Sequence, residues 1–177
     1  MTIGVGEDFS PPASKPRLPA YPRRKRNRLV SEVYKEGGAF FLTTTVRERR
    51  KAFSNDQAAN TCIRALTKVA AAAIVQIDSY CLMPDHLHLL VVAEEGIDVL
   101  AFMRRFKQTA AIECNRALGW RGSFWQSSYY DHVVRRIENM ESIRDYIVGN
   151  PIRAGIVENP EDYPFSAAVA TERGRED

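Results

Sequence analysis

The 177-residue chain predicts an α+β fold of ferredoxin-like order, with helices packed on one face of an antiparallel sheet and the other face left for a ligand. Three observations carry this. Apolar patterns of period two and period 3.6 follow one another as strand, helix, strand, strand, helix, strand. A turn at Met83-Pro84-Asp85 joins the middle two strands and makes them antiparallel neighbours. A hydrophobic content of 45% suits one proper core at this length, so a single domain accounts for the chain.

Residues 1–28 carry Pro11, Pro12, Pro16, Pro19 and Pro22 among small and basic residues and read as a disordered arm. Lys15, Arg17, Arg23, Arg24, Lys25, Arg26 and Arg28 fall there without an acidic residue among them, a run suited to phosphate backbones. A single folded domain is then expected over residues 29–169. Ala39 to Val46, aromatic and β-branched behind Gly37-Gly38, is the first strand, and Arg47, Arg49, Arg50 and Lys51 gather basic charge at its exit. Ser54 with Gln57 three residues on matches a capping box, and Ala58, Cys62, Leu66 and Val69 continue at helical spacing to about Ala72. Ile74 to Tyr80 reads as the second strand and His86 to Val92 as the third.

Leu100, Met103, Phe106, Ala110, Cys114 and Ala117 make the stripe of a second long helix, stopped by Gly119, and Arg104, Arg105 and Lys107 flank it. Those three are a solvated face unless nucleic acid is the partner. Trp125 to Arg136 reads as a fourth strand with Tyr130, His132 and Val134 on one side. A third helix runs from about Glu138 to Val148, and the ring of Pro151 places Asn150 near its end. Asp162-Tyr163-Pro164-Phe165 reads as a packing clip, and residues 170–177 as a polar tail.

Cys62, Cys81 and Cys114 are odd in number, lie in apolar segments and form no Cys-x-x-Cys pair, which argues against a disulfide framework or a cysteine zinc site; they read as reduced core residues. The chain starts without a signal-like segment and has no run near the ~20 apolar residues of a membrane span. A cytoplasmic protein is expected, with no membrane partner.

The chemistry centres on His86-Leu87-His88. Side chains alternate along a strand, so the two histidines share a face while Leu87, Leu89 and Val91 take the other. Two imidazoles converging on one point can hold a divalent ion with positions left open for substrate. Tyr146 and Asn150, four apart on a helix, also share a face and can serve one site.

His86-Leu87-His88 matches the His-hydrophobic-His signature of the single-tyrosine HUH transposases, and Met83-Pro84-Asp85-His86 resembles the lead-in of their REP-associated branch. Trp125-Gln126, His132-Val133-Val134-Arg135, Asp145-Tyr146-Ile147 and Asn150-Pro151 follow in the family's order, so the resemblance covers about residues 38 to 166. It implies the same fold, with an additional C-terminal helix carrying the nucleophile against the open face of the sheet. It implies that Tyr146 is that nucleophile and that Asn150 completes a metal shell with His86 and His88. Mg²⁺ or Mn²⁺ would suit such a mixed set, and no small-molecule cofactor is implied.

The implied activity is nicking and rejoining of single-stranded or hairpin DNA, in this branch REP-like palindromes, through a 5′-phosphotyrosine intermediate. A monomer is expected, with a dimer the alternative. His132 is a candidate for support of the metal shell, DNA contact or plain packing, and Tyr129 and Tyr130 are the rival nucleophiles. Arg23, Arg24, Lys25, Arg26, Arg47, Arg49, Arg50, Arg104, Arg105 and Lys107 are the candidate DNA contacts. Two other readings fit the same residues: a hairpin-binding regulatory or architectural protein without catalysis, and a metal-dependent nuclease that uses water while Tyr146 packs.

Overall fold

The computed structural model describes residues 31–127, 129–134 and 137–168, so the arm and tail expected at the two ends lie outside the described residues. Five antiparallel strands form one sheet in the order β4-β1-β3-β2-β5: β1 Gly38–Thr45, β2 Gln76–Met83, β3 His86–Ala93, β4 Tyr130–Val134 and β5 Ser166–Ala168. Helices α1 (Asp56–Ala73) and α2 (Val99–Leu118) cover one face over Phe40, Leu42, Leu87, Leu89 and Val91. On the opposite face, α3 (Ile137–Val148) and the short α4 (Asn150–Arg153) pack by Phe41, Cys81, Met83, Leu90, Val134 and Ile147. The α+β class and the antiparallel sheet are those expected, and the added helix lies on the side left open by the two long ones.

Several boundaries differ from the sequence reading, each for a local reason. Asn55, one residue past Ser54, caps α1, its side chain accepting from the Ala58 amide at 3.0 Å. Ile74 does not start β2; it closes α1 in the left-handed region at φ 56° and is 73% exposed, because the helix needs a C-terminal cap there. Met83 belongs to β2, paired with His86, so the turn is only Pro84-Asp85. Trp125 is outside β4. It makes an isolated bridge to Val46 and donates its indole N–H to the Lys107 carbonyl at 3.0 Å, which anchors a loop over the core. Gly119 does stop α2, at φ 65°.

The strand β2 carries a bulge at Asp78: Ile77 pairs with Val91, but Ser79 already pairs with Leu90. This extra residue swaps the faces, so that Ile77, Tyr80 and Leu82 all pack toward α1 and α2 while Cys81 and Met83 face α3. Asp78, 6% exposed, receives both Nε (3.0 Å) and a terminal nitrogen (2.6 Å) of Arg144 from α3. The fork fixes the phase of α3, and with it the direction in which Tyr146 points. Tyr163 and Phe165 form the expected clip: the Tyr163 hydroxyl donates to the Leu82 carbonyl at 2.7 Å, and the Leu82 amide donates to the Phe165 carbonyl at 2.9 Å.

Candidate active site

Strand pairing alone brings most of the site together. His88 sits opposite Thr43 and Cys81, and His86 opposite Thr45 and Met83, all on the α3 face of the sheet. The Nε2 atoms of His86 and His88 lie 3.1 Å apart, with the rings nearly perpendicular at 88°. Each far nitrogen is engaged: His86 Nδ1 meets Asp85 Oδ1 at 2.5 Å, and His88 Nδ1 meets Thr43 Oγ1 at 2.8 Å. Carboxylate or hydroxyl partners on the outer nitrogens orient the rings and direct both inner lone pairs to one point.

Burial, then the charges of His86 and Arg153, pull the His88 pKa down to about 3, against an upward pull from Asp85. His88 is therefore neutral at pH 7, the state in which imidazole binds a metal. Two nitrogens bound at right angles to one ion at about 2.1 Å stand about 3.0 Å apart, so the observed spacing fits a shared divalent cation. Without a cation, one ring must hold a proton between them. Among the described residues no group of three His, Cys, Asp or Glu is placed to hold an ion.

Asp85 also meets the Arg49 Nε at 2.9 Å. Glu48 and Arg49 adopt left-handed backbone angles, φ 59° and 52°, a conformation that costs non-glycine residues about 1–2 kcal/mol each. That turn is pinned to the β2–β3 turn by the Val46 amide on the Asp85 carbonyl (2.8 Å) and the Phe53 amide on the Pro84 carbonyl (3.0 Å). Strain is thus spent on a basic corner that ends at the histidine pair.

Tyr146, on α3, closes the site from above. Its ring packs edge-on to His88 (centroids 5.6 Å apart, 71°) and to Phe41 (6.1 Å, 89°). Asn150 stands one turn on, its amide nitrogen donating to the carbonyls of Tyr146 (3.0 Å) and Ile147 (3.3 Å). No hydrogen bond joins it to either histidine among the described residues. His132 is exposed on the edge strand β4, two strands from β3 and opposite Phe41. Tyr130 packs edge-on to Phe41 at 6.3 Å, with its phenol pKa raised by burial, and Tyr129 lies under the Lys107 ammonium at 5.5 Å.

The basic candidates separate. Arg47 and Arg49 are exposed at the histidine end of the sheet, and Arg50 stacks on Trp120 at 4.0 Å beside them. Arg104 and Arg105 are exposed on α2, in the layer behind the sheet. Lys107 is half-buried, donates to the Gln126 carbonyl at 2.9 Å and has its pKa lowered by burial. Arg23, Arg24, Lys25 and Arg26 lie outside the described residues.

Sequence reasoning missed Asp85, Thr43, the Asp78–Arg144 fork and Arg153. Thr43 was open to the same alternation argument as the histidines. Arg153, seven residues past Tyr146 and beyond a proline, gave no such signal.

Residues 39–150 match the family model described as Transposase IS200 like. The chain belongs to the IS200-like transposase family. A REP-associated tyrosine transposase of Escherichia coli (strain K12) is 29% identical over 133 residues, spanning 75% of this chain and 78% of its own. A Haemophilus influenzae relative is 27% identical over 144 residues, 76% of this chain and 81% of its own. Among solved structures, that of a REP-associated tyrosine transposase bound to a REP hairpin superposes with a TM-score of 0.65 at 27% identity, covering 84% of this chain and 82% of the other. The resemblance read from the His-Leu-His segment is therefore the right one, and the chain is a transposase of the tyrosine type. No helix among its described residues is long and apolar enough to cross a membrane.

Proposed function

We propose that this transposase cuts and rejoins single-stranded or hairpin DNA of the REP type, with Tyr146 as nucleophile and a divalent ion held by His86, His88 and Asn150. The observation that carries the reading is the packing of the Tyr146 ring against His88, whose Nε2 converges with that of His86. The hairpin in the related solved structure supports the choice of DNA. A bound Mg²⁺ or Mn²⁺ would supply Lewis-acid neutralisation of the scissile phosphate.

The chain's own residues do the rest. His86 and His88, oriented by Asp85 and Thr43, offer nitrogen ligands. Phe41 and His88 hold the Tyr146 ring between the helix and the sheet. Attack by the Tyr146 oxygen forms the O–P bond while the P–O3′ bond breaks. The phenolic proton is lost, one proton is gained by the departing 3′-oxygen, and the 5′-phosphate stays on the tyrosine. The ester energy is conserved, so reversal by a 3′-hydroxyl rejoins strands without nucleotide hydrolysis. Arg47, Arg49 and Arg50, at the same end of the sheet, contact phosphates.

Tyr146→Phe tests this, because it removes one oxygen and leaves the packing ring. Wild type and variant are incubated with Mn²⁺ and a 3′-labelled hairpin drawn from palindromic repeats beside the gene, then resolved under denaturing conditions. Labelled DNA on the wild-type chain and none on Tyr146→Phe, with hairpin binding equal, is the expected result. An adduct that persists in Tyr146→Phe moves the nucleophile to Tyr129 or Tyr130. Cleavage without any adduct makes water the nucleophile, and binding without cleavage makes the protein a hairpin binder.

A further inference from the structure

We propose that Arg153 is a positioning residue for Tyr146 that also places positive charge where the phenolate and the attacked phosphate develop negative charge. This rests on the reading of Tyr146 as nucleophile.

Three observations hold the arginine there. Its guanidinium carbon lies 4.3 Å from the centroid of the Tyr146 ring, in cation–π contact. A terminal nitrogen donates to the main-chain carbonyl of Tyr146. Space for the side chain is left by Gly149, where an added Cβ would stand 2.8 Å from an Arg153 nitrogen and 2.9 Å from the Asp145 carbonyl. Gly149 has an ordinary φ of −79°, so its backbone makes no demand for glycine; the close approach does.

The charge is directed into the site and remains reachable from outside. Arg153 is exposed, and its guanidinium stands over the Tyr146 ring that packs on His88. A guanidinium carries five N–H donors in a planar fork, so a bond to one carbonyl leaves others for a phosphate oxygen. Over a neutral phenol ring it is held weakly by the ring quadrupole. As the Oη–P bond forms and the P–O3′ bond breaks, negative charge spreads over the phenolic and non-bridging oxygens, and the attraction grows toward that arrangement. A guanidinium does not give up its proton in proteins, so none passes through this one.

The bland alternative is an arginine that merely ties off helix carbonyls near a C-terminus. Single-turnover adduct formation at saturating hairpin and Mn²⁺ separates the two, with Tyr146→Phe run alongside. Arg153→Gln is expected to slow the adduct at saturating hairpin roughly 10- to 100-fold, a loss larger than any fall in hairpin affinity. Arg153→Lys should recover part of the rate, and millimolar guanidinium ion should raise the rate of Arg153→Ala. Gly149→Ala, whose Cβ crowds both the Arg153 nitrogen and the Asp145 carbonyl, should be slow as well. An Arg153→Gln rate within twofold of wild type overturns the proposal, as does a slow rate that neither lysine nor guanidinium improves. Should Arg153→Gln fail to fold, a normal rate in Gly149→Ala overturns it. A wild type without adduct, or an adduct in Tyr146→Phe, removes the nucleophile reading first and this inference with it.

Discussion

Asp78 and Arg144 offer a quantitative test of how the chain holds its tyrosine helix. Both side chains are largely removed from solvent, 8% and 16% exposed, and they share a two-point contact. Hydrogen bonds to charged groups contribute about 1.5–3 kcal/mol each, and breaking a buried pair by removing one partner costs about 3–5 kcal/mol. The two truncations should differ. In Asp78→Leu the guanidinium keeps the favourable field of Glu141 and Asp145 on its own helix, which places the loss near 3 kcal/mol. In Arg144→Leu a carboxylate is left buried in the sheet, and the loss should approach 5 kcal/mol.

The double variant removes both charges and should recover most of the loss, with a coupling of at least about 2 kcal/mol. Urea unfolding of the four proteins, read by circular dichroism, supplies the cycle. Hairpin affinity and adduct rate on the same samples show whether α3 has shifted. Single losses below about 1 kcal/mol, or additive losses in the double variant, would falsify the claim that this fork docks the helix.

Other outcomes follow from the site. Asp85→Ala should weaken Mn²⁺ binding roughly 10- to 100-fold, measured by titration of the DNA-free protein, since it unties the outer nitrogen of His86; affinity within twofold of wild type would count against that role. The unfolded chain binds a proton at His88 near pH 6.5 whereas the folded one waits until about 3, so acid favours unfolding across that window. In metal-free protein the stability gap between wild type and His88→Gln should therefore change with pH by up to about 1.4 kcal/mol per unit between 6.5 and 3, and parallel curves would refute it. Deleting residues 1–28 should lower DNA affinity and reduce the log–log salt slope by about 0.7 to 0.9 for each phosphate the arm had neutralised, whereas an unchanged slope would retire the arm as a DNA-binding element.

Strand periodicity made the histidine pair legible, because alternation is a rule that needs no knowledge of neighbours: once His86 and His88 are on a strand, they share a face. The long helices were legible for the same reason at period 3.6, and Gly119 marked an end because few other residues take its backbone angles readily. What stayed hidden depends on tertiary partners. The bulge at Asp78 spoils the alternation between Ile77 and Tyr80, which is why the second strand was drawn too early and too short. Trp125 looked like a strand residue by composition, yet its indole N–H found a helix carbonyl and made it an anchor. Asp85, Thr43 and Arg153 complete the candidate site through contacts that arise only after β1, β3 and the segment past α3 meet.

The bulge also sets what kinds of change β2 can survive. Upstream of Asp78 the odd-numbered Ile77 faces the long helices, and downstream the even-numbered Tyr80 and Leu82 do, so the strand changes parity at one residue. Because Ile77 pairs with Val91 and Ser79 with Leu90, loss of Asp78 itself would leave the pairing and every face unchanged and remove only the Arg144 contact. A one-residue insertion downstream, where Ser79 to Met83 pair without a break, would instead turn over the part of the strand that lies beside both histidines. The bulge is thus a place where β2 can shorten by one residue without moving the neighbours of the histidine pair, which inherits its surroundings from a count of residues as much as from their identities.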